Sequence, residues 1–280
     1  MLSELLLHPT TASQVTSLLE NPTHAICIVG PGGAGKTRLA NHVGATLLKV
    51  KTLQNQAYVH SINASEGDGI ASVREVRKFL TLKSTGTHEL RRVVIIENSD
   101  QLGHEAQNAL LKTLEEPPSD TVIILTASQQ SHLLQTIRSR VRVLTVLPLQ
   151  KDTCLELEGY TALDLNKAYA LSGGFAGSFM ALLANSSDHP LTLAVELAKA
   201  FLAKTPYERL STVDTLAKDK EQAKSLLIGL EKCLYAALRS AKTASVNTIH
   251  TKMDVVMAAQ RSIEHSVNTK LLLSALSVRL

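Results

Sequence analysis

An eight-residue segment, GPGGAGKT at residues 30–37, constrains the fold of this chain more than any other feature. It fits the pattern G-x-x-x-x-G-K-[ST], it follows a short apolar run, and it opens a helical pattern at residues 36–50. This context predicts a strand, a phosphate-binding loop and a helix, with backbone N–H groups that cradle phosphate oxygens. Glycines permit that approach because they place no Cβ against the phosphates. The residues expected to bind nucleotide phosphates are Gly30, Pro31, Gly32, Gly33, Ala34, Gly35, Lys36 and Thr37.

The chemistry of this loop depends on two side chains and on the acids that accompany them. We expect Lys36 to neutralise the β- and γ-phosphates and the Thr37 hydroxyl to ligate Mg²⁺. Glu97 follows an apolar strand pattern and could hold the same ion. Asn98 stands where a catalytic acid or general base is expected, and an amide has no useful pKa for that task. Asp100 is an acid in the turn predicted to follow. The groups expected to bind the nucleotide are therefore complete, whereas the groups needed to hydrolyse it are not.

Strand and helix patterns alternate through the first half of the chain and predict an α/β domain with a parallel sheet. The continuous apolar run at residues 93–96 is typical of a central strand that is buried on both faces, and residues 121–125 predict another buried strand. After Pro148 the β-branched runs disappear and helical patterns replace them. With a polar break near residues 186–189, the expected domains are 1–149, a nucleotide-binding core, 150–186, a small helical domain, and 187–280, an all-helical domain.

Composition excludes several classes of protein. Hydrophobic residues make up 44% and charged residues 19% of the chain, which is typical of a soluble globular protein and excludes disorder over most of the length. No apolar run approaches the roughly 18 residues of a membrane span, and we expect no signal peptide and a cytoplasmic location. The 3 cysteines are far apart and predict neither a disulfide framework nor a zinc site. A net charge of +4 and only 3% aromatic residues argue against a chain that binds nucleic acid alone.

Three further segments carry a resemblance to a known family. QNALLKTLEEPP at residues 107–118 resembles the signature helix of the clamp-loader AAA+ subunits of bacterial DNA polymerase III. TIRSRV at residues 136–141 is similar to the Ser-Arg-Cys segment of that family, with Val141 in place of Cys, and NTKLLL at residues 268–273 matches its C-terminal region. The resemblance covers essentially the whole chain. It implies a P-loop AAA+ core with a parallel sheet, a small helical lid and an all-helical C-terminal collar that mediates oligomerisation.

The resemblance also implies a function and a set of partners. Subunits of this family form a hetero-pentamer that binds ATP or ADP with Mg²⁺, opens a sliding clamp and loads it onto primed DNA in replication, without a membrane partner. An arginine of the Ser-Arg-Cys segment reaches the γ-phosphate that the neighbouring subunit holds. By position Arg140 has that role here, as an arginine finger in trans. Without the resemblance, a surface salt bridge would be the favoured interpretation of Arg140.

Departures from the family pattern indicate the class of subunit. Motor subunits carry Asp-Glu where this chain has Glu97 and Asn98, a degenerate Walker B pair. They also carry an arginine in the lid, and this chain lacks it, since residues 168–198 contain no Lys or Arg. The hydroxyl expected to contact phosphate after the next strand is Ser128. Residues 36–92 contain no Cys, so the zinc module of some bacterial members is missing and no zinc is expected. These features most resemble the delta-prime, or stator, class, related to gamma/tau, whose own ATPase would be weak or absent.

Two other interpretations remain open at this point. One is an ATP-hydrolysing motor subunit of the gamma/tau type, in which Glu97 and Asp100 replace the usual acids. The other is an unrelated P-loop ATPase such as a helicase loader, which the LLKTLEEPP segment argues against.

Basic residues offer a further candidate surface. Arg74, Arg77 and Lys78 lie on one predicted helix and could track a DNA phosphate backbone or form an ordinary solvated face. Arg91 and Arg92 precede the apolar run at residues 93–96; a strand-edge loop is expected there, with a role in DNA binding as the alternative.

Overall fold

The computed structural model describes residues 5–66, 69–82, 90–184, 189–240, 243–264 and 267–280. The chain divides into two compact units, Met1–Pro148 (unit 1) and Leu149–Leu280 (unit 2). Among the described residues, no helix is both long enough and apolar enough to cross a membrane.

A five-stranded sheet forms the centre of unit 1. Its strands are β1 (Ala25–Val29), β2 (Val59–Asn63), β3 (Arg92–Glu97), β4 (Thr121–Ala127) and β5 (Arg142–Thr145). All neighbouring strands are parallel, in the order β2-β3-β4-β1-β5. This arrangement confirms the predicted α/β fold. The three middle strands, β3, β4 and β1, are almost wholly buried, as expected of strands covered on both faces.

Helices connect the strands of unit 1, as parallel pairing requires. They are α1 (Pro9–Glu20), α2 (Lys36–Leu47), α3 (Gly69–Thr81), α4 (His104–Glu115) and α5 (Gln135–Arg138). α2 follows the phosphate loop directly, and α4 is the helix of the LLKTLEEPP segment. A buried apolar cluster joins the sheet to α3 and α4; it includes Val73, Val76, Val94, Ile96, Leu110, Leu114, Ile123 and Leu125.

The sequence patterns do not predict α1, although the structure gives it a clear role. Thr11 in this helix is fully buried, and its Oγ1 donates to Thr145 O at 3.2 Å and accepts the Leu147 N–H at 3.1 Å. These two hydrogen bonds attach α1 to the end of the edge strand β5. Such tertiary contacts stabilise a helix that its own apolar periodicity does not reveal.

A buried ion pair fixes the start of β3. Arg92 is the first residue of that strand and is only 6% exposed, so the expectation of a strand-edge loop is wrong for this residue. Its guanidinium pairs with Asp120 at 2.5 Å and donates to the backbone oxygens of Leu80 and Leu82 at 2.9 Å. These partners offset the desolvation of the charge, which explains how an arginine can begin a buried strand.

Helices also form unit 2, in the part that the structure describes. They are α6 (Lys151–Leu155), α7 (Ala162–Ser172), α8 (Ala176–Leu183), α9 (Pro190–Leu202), α10 (Pro206–Leu216), α11 (Lys220–Ser240), α12 (Thr243–Glu264) and α13 (Thr269–Arg279). A second buried cluster packs the last five together; it includes Ala198, Phe201, Leu226, Leu227, Leu230, Val256, Leu273 and Leu276. The expected boundary near residues 186–189 falls mainly outside the described ranges, so the division into core, lid and collar stays a prediction.

Candidate nucleotide-binding site

The phosphate loop leaves the sheet at the carboxyl end of β1, which lies between β4 and β5. The Gly30 N–H donates to Ala127 O at 3.1 Å and ties the start of the loop to the end of β4. Gly33 and Gly35 have φ angles of 75° and 88°, a left-handed region that L side chains rarely adopt. Gly35 directly precedes α2, so the loop ends at a helix N-terminus, where unpaired N–H groups and the helix dipole favour anions.

Lys36 is buried at the first position of α2 and points into the loop. Its Nζ donates to Gly30 O at 2.7 Å and to Pro31 O at 3.1 Å. Burial lowers the pKa of Lys36, while the carboxylates of Asp100 and Glu97 act in the opposite direction. An ammonium group has three N–H donors, so one remains for an acceptor such as a phosphate oxygen.

The two predicted Mg²⁺ ligands lie in direct contact. Thr37 Oγ1, in the first turn of α2, donates to Glu97 Oε2, at the end of β3, at 2.5 Å. A hydroxyl and a carboxylate are hard oxygen ligands, and Mg²⁺ in nucleotide sites is usually held by one or two such groups with phosphates and water. The donor set therefore fits Mg²⁺ bound together with a nucleotide. Within the described ranges, no three His, Cys, Asp or Glu side chains converge to form a separate metal site.

Asn98, at the expected position of the general base, is bound to the neighbouring strand. Its Nδ2 donates to Asn63 Oδ1, at the end of β2, at 2.9 Å, and its backbone N–H donates to Thr126 Oγ1 at 3.0 Å. Its φ of 52° is a left-handed conformation that Asn tolerates better than most residues. The side chain is thus fixed beside β2 and offers no carboxylate to a water molecule.

Asp100 lies in the short 3-10 turn Ser99–Gln101, where the sequence predicts a turn. Its Oδ2 accepts the backbone N–H of Ser128 at 3.0 Å, and its Oδ1 is buried without a hydrogen-bond partner among the described residues. Ser128, predicted to contact phosphate through its hydroxyl, is therefore tied to this turn through its backbone. Burial, and to a smaller extent Asp100, raises the pKa of the Cys27 thiol to about 12, which makes Cys27 an inert core residue.

Arg140 lies near the amino ends of the parallel strands, whereas the phosphate loop lies at their carboxyl ends. Arg140 precedes β5 by two residues, and the first residue of β5, Arg142, pairs with Ile26 near the start of β1. Gly30, in contrast, follows the end of β1. The strand from Ile26 to Gly30 spans about 13 Å. Arg140 is therefore separated by most of the length of a strand from the phosphate loop of its own chain.

The Arg140 guanidinium is held by oxygens from two helical segments. Nη1 donates to Thr136 O at 2.8 Å and to Ser139 Oγ at 3.2 Å, and Nη2 forms an ion pair with Glu115 Oε1 at 2.7 Å. The Arg140 side chain remains 35% exposed, so another molecule can reach it. Sequence reasoning missed Glu115, because the ion pair joins residues that are far apart in the chain.

Gln107 in α4 is a second residue that sequence reasoning missed. It is only 4% exposed, and its Nε2 donates to Leu102 O at 2.9 Å and to His132 O at 3.2 Å, while its Oε1 accepts the Leu134 N–H at 2.8 Å. These hydrogen bonds join α4 to the segments that follow β3 and β4. The signal that could have found Gln107 is its place in the QNALLKTLEEPP segment.

The candidate DNA-tracking cations, Arg74, Arg77 and Lys78, are all exposed on α3, together with Glu75. Exposure suits a phosphate-binding face and an ordinary solvated face equally. A DNA role for these side chains therefore stays a prediction.

The parallel sheet, its phosphate loop and the contact between Thr37 and Glu97 define a P-loop domain with the AAA+ fold. Residues 9–150, about half of the chain, match the family described as DNA polymerase III, delta subunit. The chain belongs to this family. Together with the delta-prime relatives described next, the match confirms the predicted bacterial clamp-loader subunit of delta-prime type.

Curated relatives include both bacterial and archaeal clamp-loader proteins. DNA polymerase III subunit delta' of Pseudomonas aeruginosa is 35% identical over 136 residues, 42% of this chain and 41% of that protein. The delta' subunit of Bacillus subtilis is 44% identical over 66 residues, 24% of this chain and 20% of that protein. The replication factor C small subunit of Aeropyrum pernix is 26% identical over 221 residues, 76% of this chain and 63% of that protein. The chain matches less than two thirds of the length of each of these relatives.

Solved structures support the fold. A DNA polymerase III gamma subunit-related protein from Thermotoga maritima superposes with a TM-score of 0.65 at 21% identity, over 95% of this chain and 97% of that chain. A RuvB mutant from the same organism gives a TM-score of 0.50 at 15% identity, over 88% of this chain and 86% of that chain. At these identities the likeness shows the fold alone, and it confirms the predicted fold class.

Proposed function

We propose that this clamp-loader family member is a stator-type subunit, which binds ATP or ADP, hydrolyses it poorly and donates Arg140 in trans to the nucleotide of a neighbouring motor subunit. One contrast carries the proposal: Lys36 is fixed inside a complete phosphate loop, whereas the base position holds Asn98, bound to Asn63. Binding and hydrolysis need different groups, and only the binding groups are complete here.

Nucleotide binding would use the loop N–H groups and three side chains. The remaining N–H of Lys36 would donate to a phosphate oxygen, at the edge where the loop meets α2. Thr37 and Glu97 would hold Mg²⁺, which, when bound, neutralises phosphate charge. The left-handed glycines support this proposal, because a Cβ at those positions would strain the loop.

Hydrolysis would be slow because no carboxylate occupies the position of Asn98. A positioned general base contributes about 10²–10⁴-fold to a rate. The amide of Asn98 cannot replace it, and its bond to Asn63 holds it against β2.

A role in trans for Arg140 is supported by its place in the sheet. Arg140 lies near the amino ends of the parallel strands, and the phosphate loop of the same chain lies at their carboxyl ends. An exposed guanidinium in that place is suited to a phosphate held by another subunit, where it would stabilise charge on the γ-phosphoryl oxygens.

The partners of this chain would be the other subunits of a hetero-pentameric clamp loader in the cytoplasm, the sliding clamp, and primed DNA within the assembly. The domain at 187–280 would form the collar. Large apolar side chains exposed on the helices of unit 2 support subunit contacts there. They include Leu193, Leu210, Ile228, Leu271 and Val278.

One observation favours a second candidate, an ATP-hydrolysing motor subunit of the gamma/tau type. Asp100 is a buried acid whose charge opposes the lowering of the Lys36 pKa by burial, and its Oδ1 has no hydrogen-bond partner in the described part of the chain. In that case Asp100 would act on the attacking water in place of Asn98.

Nucleotide affinity and ATP turnover of the isolated chain test the proposal together. Titration calorimetry with ADP and Mg²⁺ should show binding, and phosphate release should show little turnover. Fast turnover that Lys36→Ala abolishes would overturn the poorly hydrolysing assignment and support the motor candidate.

A further inference from the structure

We infer that Glu115 is a positioning residue for Arg140, which holds the guanidinium ready for the phosphate of a neighbouring subunit. The inference rests on the proposed role of Arg140 in trans and adds a second side chain to it. The observation behind it is the ion pair between Arg140 Nη2 and Glu115 Oε1 at 2.7 Å.

The end of α4 fixes Glu115 in place. Glu115 is the last residue of that helix, and Glu116 leaves the helical region with φ −129° and ψ 64°. A proline disfavours the α conformation in the residue before it, and Pro117 imposes this on Glu116. Leu114, only 1% exposed, anchors the same turn in the core of unit 1. The Glu115 carboxylate therefore projects from a backbone that is anchored on both sides.

The turn that carries Arg140 fixes the guanidinium from the other side. Nη1 donates to Thr136 O at 2.8 Å and to Ser139 Oγ at 3.2 Å. The last carbonyls of a helix lack partners within the helix, so the bond to Thr136 O also satisfies an acceptor at the end of α5. With Nη1 on its own turn and Nη2 on Glu115, the plane of the guanidinium is set by two separate elements.

This arrangement leaves donors for a phosphate. A guanidinium has five N–H donors, and the contacts described above use only part of that set. The side chains of Arg140 and Glu115 are 35% and 47% exposed, so a second molecule can approach the pair.

Because Glu115 orders the Arg140 side chain before the phosphate of the neighbouring subunit is bound, we expect it to affect the rate of hydrolysis more than the affinity for ATP. A free arginine loses rotamer freedom when it binds, whereas a side chain that is already ordered loses less. A fixed guanidinium interacts most strongly with the charge that develops in the transition state of phosphoryl transfer. Loss of Glu115 should therefore lower kcat at the neighbouring site and leave KM for ATP unchanged.

The experiment measures kcat and KM for DNA-stimulated ATP hydrolysis by the reconstituted assembly that contains this chain. We expect Glu115→Ala to lower kcat by about two- to fivefold, the range that an exposed ion pair can supply. Glu115→Gln keeps an acceptor oxygen without the charge and should give an intermediate kcat. In an Arg140→Ala background, Glu115→Ala should have no further effect, a result that a merely structural role does not produce.

Glu116→Ala is the matched control, because Glu116 is the adjacent exposed glutamate and should leave kcat unchanged. If Arg140→Ala lowers kcat but Glu115→Ala leaves it unchanged or raises it, the positioning role is overturned and the proposed function stands. An equal loss from Glu115→Ala with and without Arg140 would also overturn the positioning role. If Arg140→Ala itself has no effect, the role in trans and the positioning role both fail.

Discussion

Asn98 Nδ2 donates to Asn63 Oδ1 at 2.9 Å, so the side chain at the base position of the nucleotide site is bound to the end of the neighbouring strand β2. In the same candidate site, Lys36 and the contact between Thr37 and Glu97 provide groups that suit phosphates and Mg²⁺. The site is thus ordered around an amide that cannot act as a base. On the proposed function, this combination would allow nucleotide binding while it prevents fast hydrolysis.

A carboxylate at position 98 should restore part of the missing chemistry. We expect Asn98→Glu to raise the ATP turnover of the isolated chain by about tenfold or more, since a positioned base contributes about 10²–10⁴-fold. Asn98→Gln is the control, with the same length and no carboxylate, and should turn over ATP like the wild type. Phosphate release measures both rates. If Asn98→Glu gives no increase, another acid supplies the base, and the motor interpretation with Asp100 gains support.

Removal of the Lys36 ammonium should weaken nucleotide binding without unfolding the chain. A hydrogen bond from a charged group contributes enough that we expect Lys36→Ala to raise the Kd for ADP by about ten- to hundredfold. Arg38→Ala is the matched control, because Arg38 is a cation on the exposed face of the same helix. Calorimetry gives the Kd, and thermal melting checks the fold. Equal affinities for Lys36→Ala and the wild type would remove Lys36 from the site.

The proposed metal-binding role of Thr37 predicts a specific dependence on Mg²⁺. In Thr37→Val the hydroxyl is lost, so the affinity for ADP should no longer increase when Mg²⁺ replaces a chelator. Thr37→Ser keeps the hydroxyl next to Glu97 and should retain the Mg²⁺ effect. Titration of ADP in Mg²⁺ and in EDTA distinguishes the variants. The metal assignment is wrong if Thr37→Val and the wild type respond equally to Mg²⁺.

The ion pair at the start of β3 should stabilise unit 1. Arg92→Ala leaves Asp120 buried without its main partner and should lower the free energy of unfolding by about 3–5 kcal/mol. Arg91→Ala is the control, because the Arg91 side chain is 31% exposed and lies 3.6 Å from Asp120. Its effect should stay below about 1 kcal/mol, because this contact is longer than the one from Arg92 and the Arg91 side chain is partly exposed to solvent. Urea denaturation measures both, and equal effects would contradict the structural role assigned to Arg92.

The sequence predicts those elements of the fold whose structure is determined by residues close together in the chain. The GPGGAGKT segment lies between an apolar strand and a helix, and the buried strands β3 and β4 each contain a continuous apolar run, so local pattern is sufficient to predict them. Helical patterns continue after Pro148, but α6 ends at Leu155 and Gly159 adopts a φ of 88°. A left-handed glycine in a turn interrupts a helix whatever the periodicity around it suggests.

Relationships between distant residues could not be predicted in the same way. Asn63 and Asn98 meet because β2 and β3 are neighbours in register, and the sequence carries no marker for that pairing. Arg140 and Glu115 meet because α4 and α5 pack together, and each side chain alone resembles an ordinary surface charge. Single-sequence patterns identify the elements of this site, whereas its side-chain partners depend on the packing of those elements.

DNA-stimulated ATP turnover of the assembly with Arg140→Ala in this chain tests most directly whether Arg140 acts on a neighbouring nucleotide. We expect turnover to fall by about tenfold or more, while the variant folds and assembles like the wild type. We also expect the isolated wild-type chain to have little turnover of its own. Unchanged turnover in the Arg140→Ala assembly would contradict the claim that this chain donates its arginine to a neighbour.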